Sequence, residues 1–296
     1  MIGEIRLMSF GFRDARRLSQ KIVQTMKLCS EQLSSQGHYD FGMRAVITVI
    51  QAAGNLVAAK GQDQILEDLL VLSALDKSTR SKFIAEDAVR DPLFHSWPPF
   101  PKTDSLSDCP RHQVLFDSIL SDLFPGQQAP QSDYADLIER ILANCAKETL
   151  VPTEAFLLKC LQIFDVSLTR HGFATVGPSG GAKTSALRIL ATAMGDLDGT
   201  HEDNKYQRVQ RHVLNPKAIS IKRLYGEYDV KTHVWTDGIL AFLFRNCAQD
   251  TADVMRQWIV FDGPVESHWI ESMNTVLDDN KKLILMSNEV ISMTPY

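Results

Sequence analysis

Eight residues constrain this chain more than any others: Gly177-Pro178-Ser179-Gly180-Gly181-Ala182-Lys183-Thr184. The apolar run Phe173-Ala174-Thr175-Val176 precedes them, and the amphipathic run Ser185-Ala186-Leu187-Arg188-Ile189-Leu190 follows. A strand, a glycine-rich turn and a helix with Lys-Thr in its first turn is the layout of a phosphate-binding loop. A helix N-terminus offers unpaired N–H groups and the positive end of its dipole. Glycines let the backbone wrap close enough to donate to phosphate oxygens. The candidate nucleotide-binding residues are therefore Gly177, Pro178, Ser179, Gly180, Gly181, Ala182, Lys183, Thr184 and Ser185. In this layout Lys183 reaches the β- and γ-phosphates of ATP, and the Thr184 hydroxyl ligates Mg²⁺. The alternative is a glycine-rich turn that binds nothing. One position departs from G-x-x-x-x-G-K-[ST], with Ala182 standing where glycine is usual. If that residue needs φ > 0, alanine costs about 1–2 kcal/mol, which weakens binding about tenfold, unless Gly180 and Gly181 absorb the change.

A second motif weighs against the ligand-free alternative. Trp258-Ile259-Val260-Phe261-Asp262-Gly263 reads as a strand buried on both faces of a parallel sheet. Its aspartate falls at the carboxyl end, where such sheets bind ligands. This is a Walker B pattern, and Asp262 joins Thr184 as a candidate Mg²⁺ residue. ATPases of this kind use an acid directly after the aspartate to polarise the attacking water. Gly263 has no side chain for that task. Glu266 has two readings, as a displaced base or as a surface residue. No histidine stands near a nucleophile or at metal-binding spacing. The residues thus describe a site that binds Mg-ATP and hydrolyses it poorly, with no catalytic residue of its own.

The rest of the chain divides in two. Ala15, Leu18, Ile22, Met26, Cys29 and Leu33 recur at helical steps and predict one long helix over 12–35. Asp40 is a good N-cap for a helix holding Met43, Val46, Ile47 and Ile50. Arg44, in its first turn, reads from spacing alone as a solvated surface arginine. Short helices are expected over 64–75 and 77–89. Residues 90–113 are proline-rich, a linker or insertion, or alternatively a site for a polyproline-binding partner. Helices follow over 114–124 and 133–147, and another opens at Pro152-Thr153 and ends at Gly172. Past the phosphate loop, Arg211 to Leu214 predicts a strand, 225–238 an irregular excursion and 239–247 a helix. A further helix is expected over 268–279, and a β-hairpin from 283 to 293.

Net charge is −5, so a broad nucleic-acid-binding face is not expected. No apolar run approaches the roughly 18 residues of a membrane span, and the start has no apolar signal region. Five scattered cysteines fit reduced thiols.

Several stretches together resemble dynein heavy chains of the axonemal type. They are Lys27-Leu28-Cys29-Ser30-Glu31-Gln32-Leu33-Ser34-Ser35-Gln36; His38-Tyr39-Asp40-Phe41-Gly42-Met43-Arg44-Ala45-Val46; Ser121-Asp122-Leu123-Phe124-Pro125-Gly126; Leu214-Asn215-Pro216-Lys217-Ala218-Ile219; Leu224-Tyr225-Gly226; and Phe261-Asp262-Gly263-Pro264-Val265, continuing through Trp269 to Lys281. The resemblance implies an α/β P-loop NTPase fold of the AAA+ kind. Residues 1–125 would be the helical small subdomain of the ring's first AAA+ module, with a Pro-rich insertion at about 90–113. Residues 126–296 would be the large subdomain of the second module, with a parallel sheet and both Walker motifs, stopping before sensor 1. Arg44 would be the sensor-2 arginine of the preceding module's ATP site, against the plainer reading from spacing. The second module's ATP would be structural. Residues 219–238 and 283–293 would be ring inserts facing the linker that makes the power stroke. Implied partners are neighbouring AAA+ modules, the linker, dynein intermediate and light chains, and microtubules, with no nucleic acid and no membrane. The implied location is the cytoskeleton of a cilium or flagellum axoneme. Two other readings stand beside this one: a stand-alone P-loop ATPase using Glu266, and a scaffold that has lost nucleotide binding.

Overall fold

The computed structural model describes residues 2–33, 39–60, 67–80, 112–127, 134–200, 206–249, 255–278 and 280–294. It forms two compact units. One comprises Met1–Asp133 with Leu161–Arg170, and the other Tyr134–Cys160 with His171–Tyr296.

The first unit is helical: α1 (Ile2–Ser9), α2 (Ala15–Gln32), α3 (Met43–Lys60), α4 (Glu67–Arg80) and α5 (His112–Leu123). Helix α2 buries the stripe that its period predicts, including Leu18, Ile22 and Cys29, each 0% exposed. Facing residues come from α3 (Val49, Ile50), α4 (Val71, Leu75) and α5 (Phe116), within one cluster. Burial also pushes the Cys29 thiol up to about 12, which keeps it protonated.

Several local expectations change here. Helix α1 was not foreseen, because it buries only Leu7 while Ile2, Ile5 and Met8 stay exposed. The two helices expected over 64–89 are one continuous helix within 67–80, since an aspartate at position 76 does not interrupt the period that buries Leu72, Leu75 and Thr79. Residues 64–66 and 81–89 lie outside the described residues. Asp40 does not cap α3 at its start. Its carboxylate accepts the Gly42 N–H two residues on (2.9 Å), a turn ahead of the helix. His112 and Gln113, expected in the proline-rich loop, open α5, and residues 90–111 lie outside the described residues. The start of α2 is held from a distance. The Glu67 carboxylate accepts from the backbone N–H groups of Arg13 (3.0 Å) and Asp14 (3.3 Å), and Asp68 pairs with Arg17 at 3.0 Å.

The second unit contains α6 (Ala135–Lys147), the first half of α7 (Glu154–Thr169), α8 (Lys183–Asp196), β1 (Val209–Leu214), α9 (Ile221–Tyr225), β2 (Gly226–Tyr228), β3 (Trp235–Asp237), α10 (Ile239–Gln249), β4 (Arg256–Phe261), α11 (Ser267–Ile270), α12 (Asn274–Leu277), β5 (Lys282–Ile284) and β6 (Val290–Ser292). Strands β1 and β4 are parallel, in register from Val209↔Arg256 to Leu214↔Phe261. One face of the pair (Leu214, Ile259, Phe261) packs on the core of α9, α10, Trp269 and the hairpin. Helix α7 opens at Thr153, whose hydroxyl accepts the Phe156 N–H (3.2 Å). It ends at Thr169, three residues before the expected Gly172.

Three strand readings change. Phe173–Val176 joins no ladder among the described residues, and Phe173 and Val176 are exposed (40% and 87%). An apolar run becomes a strand only where a neighbour accepts its backbone hydrogen bonds. Strand β4 is half-buried along its whole length rather than buried on both faces, because β1 is its sole partner among the described residues. The excursion at 225–238 is ordered, with β2 and β3 pairing antiparallel, Glu227 opposite Thr236. The helix expected over 268–279 is broken by a 3₁₀ turn at Glu271–Met273. The terminal hairpin is present, with Leu283 opposite Ile291.

Candidate functional site

The site lies within the second unit, where the loop 177–182 meets α8 and the carboxyl ends of β1 and β4 come level. That levelling is a hydrogen bond: the Asp262 N–H donates to the Leu214 carbonyl at 2.8 Å. Helix α8 begins at Lys183 because its apolar side chains recur at helical spacing. Ala186, Ile189, Leu190 and Met194 are buried and anchor its inner face. Its outer face is held by the Arg188–Glu148 ion pair (2.5 Å) and by Asn144 Nδ2 donating to Asp196 Oδ2 (2.8 Å). Burial pushes the Cys160 thiol, beneath this helix, up to about 12, so it acts as a packing group.

Residues Gly177, Pro178, Ser179, Gly180, Gly181, Ala182 and Thr184 are exposed, and Lys183 and Ser185 are half-buried. The loop folds on itself, with the Gly181 N–H donating to the Pro178 carbonyl at 3.2 Å. The Lys183 ammonium donates to the carbonyls of Gly177 (2.9 Å) and Pro178 (2.8 Å). Those bonds hold the cation beside the loop backbone, within the first turn of α8. Gly180 has φ 80°, and a Cβ there would meet nothing within 4 Å, so the loop is open at that point.

Ala182 settles the question its sequence posed. It lies in the left-handed region, φ 56° and ψ 18°, as the residue before α8. Gly180 is left-handed too, so the neighbouring glycines do not take over the demand. Ala182 carries the steric cost of about 1–2 kcal/mol in this conformation.

The two motifs meet. The Thr184 hydroxyl donates to Asp262 Oδ2 at 3.3 Å, joining residues far apart in the chain. A hydroxyl and a carboxylate side by side at a helix N-terminus are oxygen donors suited to Mg²⁺, and the adjacent ammonium suits a polyphosphate. Among the described residues no three or more His, Cys, Asp or Glu come together in a way that could hold a metal ion. The residues therefore fit Mg-ATP. Loop amides and Lys183 would hold the phosphates, and Thr184 and Asp262 the metal shell. The metal, once held, would withdraw charge from the phosphoryl oxygens.

Past Asp262, the chain is fixed by aromatic packing. Phe261 stacks on Trp269 at 5.0 Å, the Trp269 indole N–H donates to the Pro264 carbonyl (3.2 Å), and the Tyr225 hydroxyl donates to the Trp269 carbonyl (2.5 Å). Glu266 pairs with Lys217 at 3.6 Å. Lys217 and Asn215, on the turn after β1, belong to this neighbourhood. Sequence singled them out within the family-like stretch Leu214 to Ile219, without a role. Arg44 lies exposed in the first turn of α3, in the first unit.

Fold and site together define a P-loop module of the AAA+ class. A family model described as "Hydrolytic ATP binding site of dynein motor region" matches residues 1–97 and 108–184. A second, "AAA domain (dynein-related subfamily)", matches 173–296. The chain belongs to the dynein heavy chain family. It is 46% identical to mouse dynein axonemal heavy chain 3 over 294 residues, 99% of this chain and 6% of that protein. It is 45% identical to rat dynein axonemal heavy chain 1 over 296 residues, 99% of this chain and 6% of the relative. Against human dynein axonemal heavy chain 12 it is 43% identical over 296 residues, 100% of this chain and 9% of the relative. It thus spans under a tenth of the length of these relatives. Among the described residues no helix is long and apolar enough to cross a membrane.

Proposed function

We propose that this chain is an ATP-holding ring segment of an axonemal dynein heavy chain, and that its own nucleotide site retains Mg-ATP rather than turning it over. The observation that carries this is the Thr184–Asp262 contact beside Lys183, followed directly by a residue with no side chain. Lys183 neutralises the phosphates, while Thr184 and Asp262 hold the metal shell. Gly263, directly after Asp262, offers no group to take a proton from water. Glu266, the nearest acid in sequence, is paired with Lys217. Residues 1–125 are the lid of the preceding module. The hydrolytic site named by the first family model is that module's site, to which Arg44 contributes as a sensor arginine. Residues 126–296 are the large subdomain of the next module. Bound ATP acts as a structural wedge, stabilising the subdomain by mass action. Partners are the adjacent AAA+ modules and linker of the same heavy chain. Dynein intermediate and light chains and microtubules are reached through the whole motor, in the ciliary axoneme.

The test is quench-flow on the purified chain. Mg-ATP and a non-hydrolysable analogue should raise the melting temperature equally. Single-turnover phosphate release should not exceed that of a Lys183→Ala control. Release on a seconds timescale, lost in Glu266→Gln, would refute the retention reading and identify Glu266 as a base.

A further inference from the structure

We propose that the turn Asn215-Pro216-Lys217 fills the place that an acid following Asp262 would need, so that the missing base is imposed by the fold rather than by residue 263 alone. This deepens the retention reading above and rests on it for its functional meaning. Gly263 is not required by backbone conformation, for its φ is not in the left-handed region that favours glycine. It is required by space. A Cβ at residue 263 would lie 3.1 Å from Asn215 Oδ1, and 3.3 and 3.6 Å from Pro216 Cδ and Cγ.

Neither neighbour yields cheaply. Asn215 Oδ1 accepts the Lys217 N–H at 3.0 Å, capping the 3₁₀ turn Pro216–Ala218. Moving it forfeits the cap. Pro216 is buried and its ring is rigid. The turn cannot slide along β4, because the Asp262 N–H is bonded to the Leu214 carbonyl, one residue before Asn215. The same turn also holds the alternative acid, since Lys217 pairs with Glu266 at 3.6 Å. One short segment thus crowds residue 263 and engages Glu266.

A double-mutant cycle on the full chain tests this. Asn215→Ser keeps a capping oxygen while shortening the side chain. Gly263→Ala should lower the melting temperature by about 2–4 °C. In the Asn215→Ser background it should cost clearly less, so the double variant loses less than the sum. If Gly263→Ala alone does not fold, recovery of folded chain in the double variant is the same coupling, and no recovery overturns the proposal. Additive losses, or a Gly263→Ala chain as stable as the parent, also overturn it. Calorimetry with Mg-ATP gives the functional arm. Gly263→Ala should weaken binding severalfold, because displacing the turn pulls on Asp262, and Asn215→Ser should restore it. Coupled melting temperatures with no Mg-ATP binding by any form, parent included, would uphold the packing inference and defeat the ATP-retention reading.

Discussion

Ile50 in the helical unit and Ile259 in strand β4 are the same residue in two settings. Ile50, on α3, is 1% exposed within the core cluster of the helical unit, whereas Ile259 is half-buried on a two-stranded pair. The helical unit closes its core on all sides with Leu18, Ile22, Leu75 and Phe116, each 0% exposed. The second unit keeps its sheet partly open and spends its polar groups on a loop, a strand end and two hairpins. The contrast teaches that a closed core and an outward-facing polar site ask different things of a chain. Packing density supports the first, and the second needs backbone amides, a cation and oxygens facing outward.

The largest expected effect probes that contrast directly. Ile50→Ala should cost about 2–5 kcal/mol, read as a shift of the denaturation midpoint. Ile259→Ala should cost well under half as much, because less of its surface leaves water. Equal costs would erase the distinction between the units.

Next in size is Lys183→Ala. A charge-assisted contact is worth about 1.5–3 kcal/mol, so Mg-ATP affinity should fall at least tenfold by calorimetry, with the melting temperature of the nucleotide-free chain unchanged within error. Unchanged affinity would remove the phosphate site from the second unit altogether.

Ala182→Gly sharpens the picture in the opposite direction. Relief of the left-handed alanine should strengthen Mg-ATP binding up to about tenfold, as 1–2 kcal/mol allows. Affinity that stays level or falls would mean that the strained loop is already the binding-competent one.

The smallest effect concerns the polar node between the two hairpins. The Arg245 guanidinium donates to Asp237 (2.8 Å) and Glu289 (2.7 Å), and the Trp235 indole N–H donates to Asp237 (2.7 Å). The hydrogen bonds from Arg245, then from Trp235, hold the Asp237 carboxyl below its usual range. A depressed folded-state value adds stability above the unfolded carboxylate pKa, and that stability is lost as pH falls through the folded one. The Trp235 indole N–H resonance should therefore move only in acid below the ordinary carboxylate range, and the movement should vanish in Asp237→Asn. Movement at or above that range would show that the node does not hold the charge.

Sequence alone reached a good deal of this. The period of α2 gave its buried face, because a 3.6-residue repeat fixes which side chains share a side. The loop motif and the strand-end aspartate singled out Thr184 and Asp262, which the fold brings within 3.3 Å of each other, because phosphate and Mg²⁺ chemistry needs those residue types in such places. Family resemblance over the whole chain supplied the AAA+ fold. Tertiary structure decided what depends on neighbours. Phe173–Val176 has a strand's composition but joins no ladder, since pairing belongs to two segments and not to one. The ribbon of β2 and β3 has no strand pattern in the sequence, and the edge-to-face contact of Tyr228 with Trp235, 5.0 Å apart, forms only when the two strands pair. Ala182 could be known as a departure from glycine, but only its φ shows that the loop demands the left-handed conformation. Gly263 shows by its identity alone that no side chain directly follows Asp262. That Asn215 and Pro216 lie 3.1 and 3.3 Å from where a Cβ at residue 263 would fall follows from the parallel register of β1 and β4, which no local pattern encodes.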